Sequence, residues 1–169
     1  HDQREKRAEP VAPVLWRVKT PLPAYAVFVD QDRCWAGNNE GLIHVFGHDG
    51  SHLHTYEVPD GVGCILRDEL WTYVGCDNGN VYDISRDEAH LAYEVVHGEE
   101  LLALAVHDGD LIVADRVGQV SVFDHESGKL WSTKSGDGDG WAVVCDDRGV
   151  VHGHEHGLTA LDWRSNERW

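Results

Sequence analysis

Four segments of this 169-residue chain align one beneath another: "AGNNEGLIHVF", "VGCDNGNVYDI", "VADRVGQVSVF" and "HGHEHGLTALD". Their anchoring glycines, Gly41, Gly79, Gly118 and Gly157, lie 38, 39 and 39 residues apart. Four positions before each glycine stands a small residue: Gly37, Gly75, Ala114 or Gly153. Eleven positions before stand Asp30, Asp68, His107 and Asp146, each where a polar turn follows an apolar run. A repeat of this length constrains the fold strongly, because units too small to bury their own faces must stack on one another.

Each unit reads as four short strands. In the third, strand a is "LLALAV", strand b is "LIVAD", strand c is "QVSVFD" and strand d is "KLWST". The runs are β-branched or aromatic, bounded by Gly, Asp, Asn and Ser, and carry no helical periodicity. Strand a is apolar throughout, as expected of an inner strand buried on both faces, whereas strand c alternates. The sequence therefore predicts an all-β fold, a β-propeller built of about four four-stranded antiparallel blades. It forms either a small ring or a half or fragment of a seven- or eight-bladed one. The blades are expected over residues 24–58, 62–95, 101–133 and 140–169.

The third and fourth units, "HDGDLIVADRVGQVSVFDHESGKLW" and "DDRGVVHGHEHGLTALDWRSNERW", resemble quinoprotein-type (PQQ-like) propeller repeats. The resemblance spans residues 24–169 and lies at the level of the repeat. It implies that Trp131, with Ser127 and Gly128, docks one blade against the next whether or not a quinone is present. WD repeats are the neighbouring alternative, but no suitably placed Gly-His and Trp-Asp pairs occur. A quinone enzyme of that group would need a calcium site, a catalytic Asp beside it and, in many members, a vicinal cysteine pair. Cys34, Cys64, Cys76 and Cys145 are not adjacent to one another. No cofactor is expected, and a fold of this kind does not fix a chemistry.

Residues 1–13 are charged and then proline-rich, and are expected to form a mobile arm. The following "LWRVKT" resembles "LWSTK" of the third unit. Residues 14–20 are accordingly expected as a strand d, belonging either to the last blade or to a preceding one.

Fourteen basic against thirty acidic residues give a net charge of −16, which argues against direct binding of nucleic acid or an anionic membrane surface. Ten arginines to four lysines, with no methionine, resemble the composition of a haloarchaeal protein, with an actinobacterial or other GC-rich source as the alternative. Such an acidic protein is expected to be stabilised by molar salt. The longest apolar run, Leu101 to Val106, is too short to span a membrane, and the first residues show no signal-peptide pattern, so none is expected. The irregularly spaced cysteines read as reduced thiols of a cytoplasmic protein.

The most chemical-looking stretch is "HGHEHG", in which His152, His154 and His156 could hold zinc, nickel or copper if they lay in one strand. The repeat places residues 154–156 in the b–c turn, which breaks that alternation. The histidines of "HVFGHDGSHLH", His44 to His54, are expected at the opposite end and solvated. Asp30, Asp68 and Asp146 recur once per blade, so a turn role is expected of them rather than catalysis. The tryptophans Trp16, Trp35, Trp71 and Trp141 are expected in packing between blades. No catalytic residue is assigned.

Three functions follow in order. The first is a non-enzymatic scaffold binding another protein or a second copy of itself. The second is a structural domain of a larger assembly. The third is a quinoprotein-like oxidoreductase or ligand-binding propeller.

Overall fold

The computed structural model describes residues 12–135 and 138–169. The described residues form fifteen strands and no helix, arranged in four separate antiparallel sheets. Blade 1 contains β1 (Ala26–Val29), β2 (Arg33–Gly37), β3 (Leu42–Gly47) and β4 (His52–Glu57). Blade 2 contains β5 (Val62–Asp68), β6 (Trp71–Cys76), β7 (Asn80–Asp83) and β8 (His90–Glu94). Blade 3 contains β9 (Leu101–His107), β10 (Asp110–Asp115), β11 (Gln119–Phe123) and β12 (Lys129–Lys134). Blade 4 contains β13 (Gly140–Asp146), β14 (Gly149–His154) and β15 (Gly157–Leu161). Each sheet is a meander, so the a–b and c–d turns leave one end of the blades and the b–c turns leave the other.

Apolar residues from facing sheets bury each other in three successive seams. Trp35, Ile43 and Val45 of blade 1 meet Ile65, Val74 and Ile84 of blade 2. Val81 and Tyr93 meet Leu111, Val113 and Phe123 of blade 3. Ile112, Val120 and Val122 meet Val143, Val150 and Leu161 of blade 4. The innermost strands pack β1 on β5, β5 on β9 and β9 on β13, and β13 makes no comparable contact with β1. The fold is an arc of propeller blades with two free ends.

The b–c hairpins show why the glycine column exists. In the first three blades the loop ends in Gly41, Gly79 or Gly118, with φ of 88°, 85° and 85°, a backbone state that favours glycine. The amide of each donates to the carbonyl three residues back, of Asn38, Cys76 or Asp115. Blade 4 departs from this pattern. His154 pairs directly with Gly157, leaving a two-residue turn of Glu155 and His156.

The strand expected over residues 14–20 does not form there. Of that segment, Trp16 rests on blade 1 through its side chain and not through a backbone ladder. Trp16 packs on Phe46 with ring centroids 6.1 Å apart, and its indole Nε1–H donates to the His48 carbonyl at 2.8 Å. In blade 4, residues 167–169 take up the start of a fourth strand. The Arg168 amide donates to the Ala160 carbonyl, and the Ala160 amide donates to the Trp169 carbonyl.

A hydrogen bond from each outer strand to the next blade recurs along the arc. His54 Nε2 meets the Asp87 carbonyl at 2.8 Å. Tyr93 donates its hydroxyl to the Asp124 carbonyl, and Trp131 its indole N–H to the Trp163 carbonyl.

Candidate functional site

The turn acids act locally. Asp30 Oδ1 accepts from the amides of Asp32 and Arg33, and Asp146 Oδ1 accepts from Arg148. Burial alone would raise the Asp30 carboxyl, but those amides and then the Arg67 guanidinium outweigh it and hold the group below its ordinary value. Asp68 makes no such turn bond and faces a groove instead. The sequence did not single out the acids of the c–d turns. Asp83, Asp124 and Asp162 accept amides there, from Ser85, from Glu126 and Gly128, and from Arg164 and Asn166.

The three histidines of "HGHEHG" take different places. His152 is fully buried in the seam between blades 3 and 4, its Nδ1 2.8 Å from Ser135 Oγ. Burial, then the neighbouring His154, lowers its pKa to about 4, so the ring is neutral. His154 Nε2 meets Thr159 Oγ1 at 2.9 Å, and His156 sits in the exposed turn. Near His52, the pKa of His44 is likewise lowered, by burial and then by that neighbour. Among the described residues, a grouping with metal-ligand spacing occurs elsewhere, at His107, Asp108 and Asp147. There His107 Nε2 already bonds Asp147 Oδ1 at 2.9 Å, and the ring stacks on Trp163 at 4.6 Å.

The thiols fit structural roles. Cys64 is pushed up to about 12 by burial and rests near the Leu101 carbonyl, and Cys76 is raised further by burial. Trp131 lines the blade 3–4 seam, while Trp141 is exposed on the inner strand of blade 4.

Grooves open at the a–b end wherever two blades meet. Between blades 1 and 2 the groove is lined by Asp30, Gln31, Asp32, Arg67 and Glu69. Its cation comes from within: the Arg67 guanidinium pairs with Asp30 at 3.3 Å and lies 5.5 Å over the Trp35 ring, which Arg33 also approaches, at 5.1 Å. Between blades 2 and 3 the groove is lined by Asp68, Trp71, Tyr73, Asp83, Tyr93 and His125, among others. The repeat makes Tyr73 the counterpart of Trp35, and Asp68 that of Asp30, since Phe28 pairs with Trp35 as Leu66 pairs with Tyr73. The counterpart of Arg67 is Val106. None of the residues lining this second groove is Lys or Arg. It keeps the aromatic floor and the carboxylate without the cation that fills the first. Trp71, 46% exposed, stands at its rim.

Among the described residues no helix is long and apolar enough to cross a membrane. No family model matches the sequence, and no curated protein is similar to it. The fold has solved counterparts in two computationally designed proteins. The Ika4 protein is 18% identical, with a TM-score of 0.73, over 85% of this chain and 93% of that one. The Ika8 protein is 19% identical, with a TM-score of 0.68, over 80% of this chain. The chain spans under half, 44%, of Ika8.

Proposed function

We propose that this protein is a propeller scaffold, an interaction module without catalysis of its own, that binds a protein partner through a basic side chain seated between blades 2 and 3. The observation that carries this reading is the exchange of Arg67 for Val106 in one column of the repeat. Where blade 1 meets blade 2, an internal arginine satisfies Asp30 and stacks over Trp35. Where blade 2 meets blade 3, Asp68 and Tyr73 hold the same places with an aliphatic side chain opposite, leaving room for a guanidinium from outside. Arginine suits such a slot because its plane stacks on a ring while its fork meets a carboxylate. The quinoprotein-type repeat, the acidic composition and its resemblance to salt-adapted proteins support a cytoplasmic scaffold of a salt-loving cell.

The test is a titration with a short arginine-containing peptide and its glutamine counterpart, followed at the Trp71 indole by NMR. The arginine peptide is expected to shift that resonance and to bind about tenfold more tightly than the glutamine peptide. Val106→Arg, which supplies the missing cation internally, is expected to abolish the difference. Equal binding of both peptides, or binding untouched by Val106→Arg, contradicts the reading.

A further inference from the structure

We infer that two copies of this chain join end to end into one ring, the segment around Trp16 of each adding as the fourth strand of the other's blade 4. This stands apart from the groove between blades 2 and 3, so either can fail alone.

The first ground is the bond made by Trp16. In blade 3 the outer-strand residue Trp131 donates its indole N–H to the carbonyl of Trp163, in the c–d turn of blade 4. Trp16 donates in the same manner to the carbonyl of His48, in the c–d turn of blade 1. The correspondence extends one bond further inward. Trp163 Nε1 reaches the Asp146 carbonyl, and His48 Nε2 reaches the Asp30 carbonyl. Trp16 therefore sits on blade 1 where the outer strand of a preceding blade belongs, yet its segment pairs with no strand. Val14 and Leu15 beside it are exposed. Blade 4 presents the complementary lack: β13, β14 and β15 are formed, and among the described residues only 167–169 bond to the outer edge of β15.

The second ground is that the two end faces are halves of a seam the chain already makes. In the seam between blades 3 and 4, Ala103 and Ala105 face Val143 and Cys145. The repeat makes Ala142 and Val144, on the outward side of β13, the counterparts of Ala103 and Ala105. It makes Val27 and Val29, on the outward side of β1, the counterparts of Val143 and Cys145. Val27 is 70% and Val144 63% exposed, and none of these four end-face residues is charged in a chain of net charge −16. Surfaces of this kind expose such apolar patches where another surface covers them. The two faces differ, so they meet head to tail, and two copies close the ring. The chain overlays 44% of Ika8, so a solved chain of similar fold has the length of about two such arcs.

Two segments then compete for one edge. Trp169 lies opposite Ala160, as Trp131 lies opposite Val122, and the incoming Trp16 would take that place. Residues 167–169 hold the edge through two backbone hydrogen bonds, whereas β12 holds β11 along its whole length.

The experiment is the solution mass of the whole chain by light scattering. The expected mass is twice 18.9 kDa. Val27→Glu and Val144→Glu are each expected to give the monomer mass, and their equimolar mixture to recover a two-chain species, because one untouched junction remains in it. Trp169→Ala removes the rival for the β15 edge and is expected to tighten association by about tenfold. Both valines are exposed, so the variants should keep the β-sheet circular dichroism; any that does not is replaced by Val29→Glu or Leu158→Glu on the same face. A monomeric wild type, a dimer surviving either glutamate, a mixture that stays monomeric, weaker association in Trp169→Ala, or a ladder of larger species each overturns the inference.

Discussion

The groove between blades 2 and 3 and the outward faces of blades 1 and 4 are surfaces left by one repeat, yet their chemistry is opposite. The groove sets carboxylates beside aromatic rings, so it suits a cationic group and should respond to salt. The end faces present Val27, Val29, Ala142 and Val144, so they suit another apolar sheet and should be indifferent to salt or gain from it. The difference shows that a repeat supplies seams by default, and that two equivalent grooves come to differ where one column breaks the pattern. Arg67, in a column otherwise held by Val29, Val106 and Cys145, is that break: it fills the first groove, and the second lacks it. Val144 in the column of Ala105 is a continuation.

The sharpest way to break the comparison is a pair of adjacent substitutions. Val143 points into the blade 3–4 seam and Val144 out of the end face. Val143→Asp buries a charge and is expected to cost more than about 4 kcal/mol, removing the cooperative thermal transition. Val144→Asp is expected to keep that transition, within about 1 kcal/mol for the monomer.

Acid separates the seam from both surfaces next. His152 titrates near its ordinary value in the unfolded chain but only at about 4 when folded. As pH falls from the ordinary histidine value towards 4, the unfolded chain takes up a proton that the folded one refuses, so stability drops. The loss reaches about 3 kcal/mol near pH 4 and is nil above neutrality. Melts across this range should flatten by about one proton in His152→Asn.

Trp71→Ala is expected to weaken the arginine peptide about tenfold, read in this variant at the Tyr73 backbone amide, while leaving the solution mass unchanged. The smallest effect compares two equivalent indoles. Trp131→Phe should lower stability by about 1 kcal/mol for one lost hydrogen bond, and Trp16→Phe by less, since its bond lies at an exposed rim. Parallel denaturant titrations read both.

The blade plan was legible because each strand is short, apolar and bounded by turn residues at a constant period. The glycine column fixed the b–c turns of blades 1 to 3, where a left-handed residue closes each loop. In blade 4 the turn is one residue shorter, yet Gly157 keeps its place in the count and a positive φ of 129° as it opens β15. The likeness of "LWRVKT" to a strand d was visible, but not that Trp16 would hold it against blade 1. His152 was readable as one of three alternating histidines; its burial against Ser135 depends on how blade 4 meets blade 3. The groove was hidden for a similar reason. Arg67 and Val106 align in the sequence, but their meaning appears only once that column is seen to face the aromatic residue of the preceding blade.

The most direct test of the two-surface account is a salt titration of one sample containing the chain and the arginine peptide. From 0.1 to 1 M KCl, peptide affinity read at the Trp71 indole should fall by about fivefold. Over the same range the two-chain mass should persist or strengthen. If both fall together, or neither changes, the groove and the end faces share one chemistry and the account is contradicted.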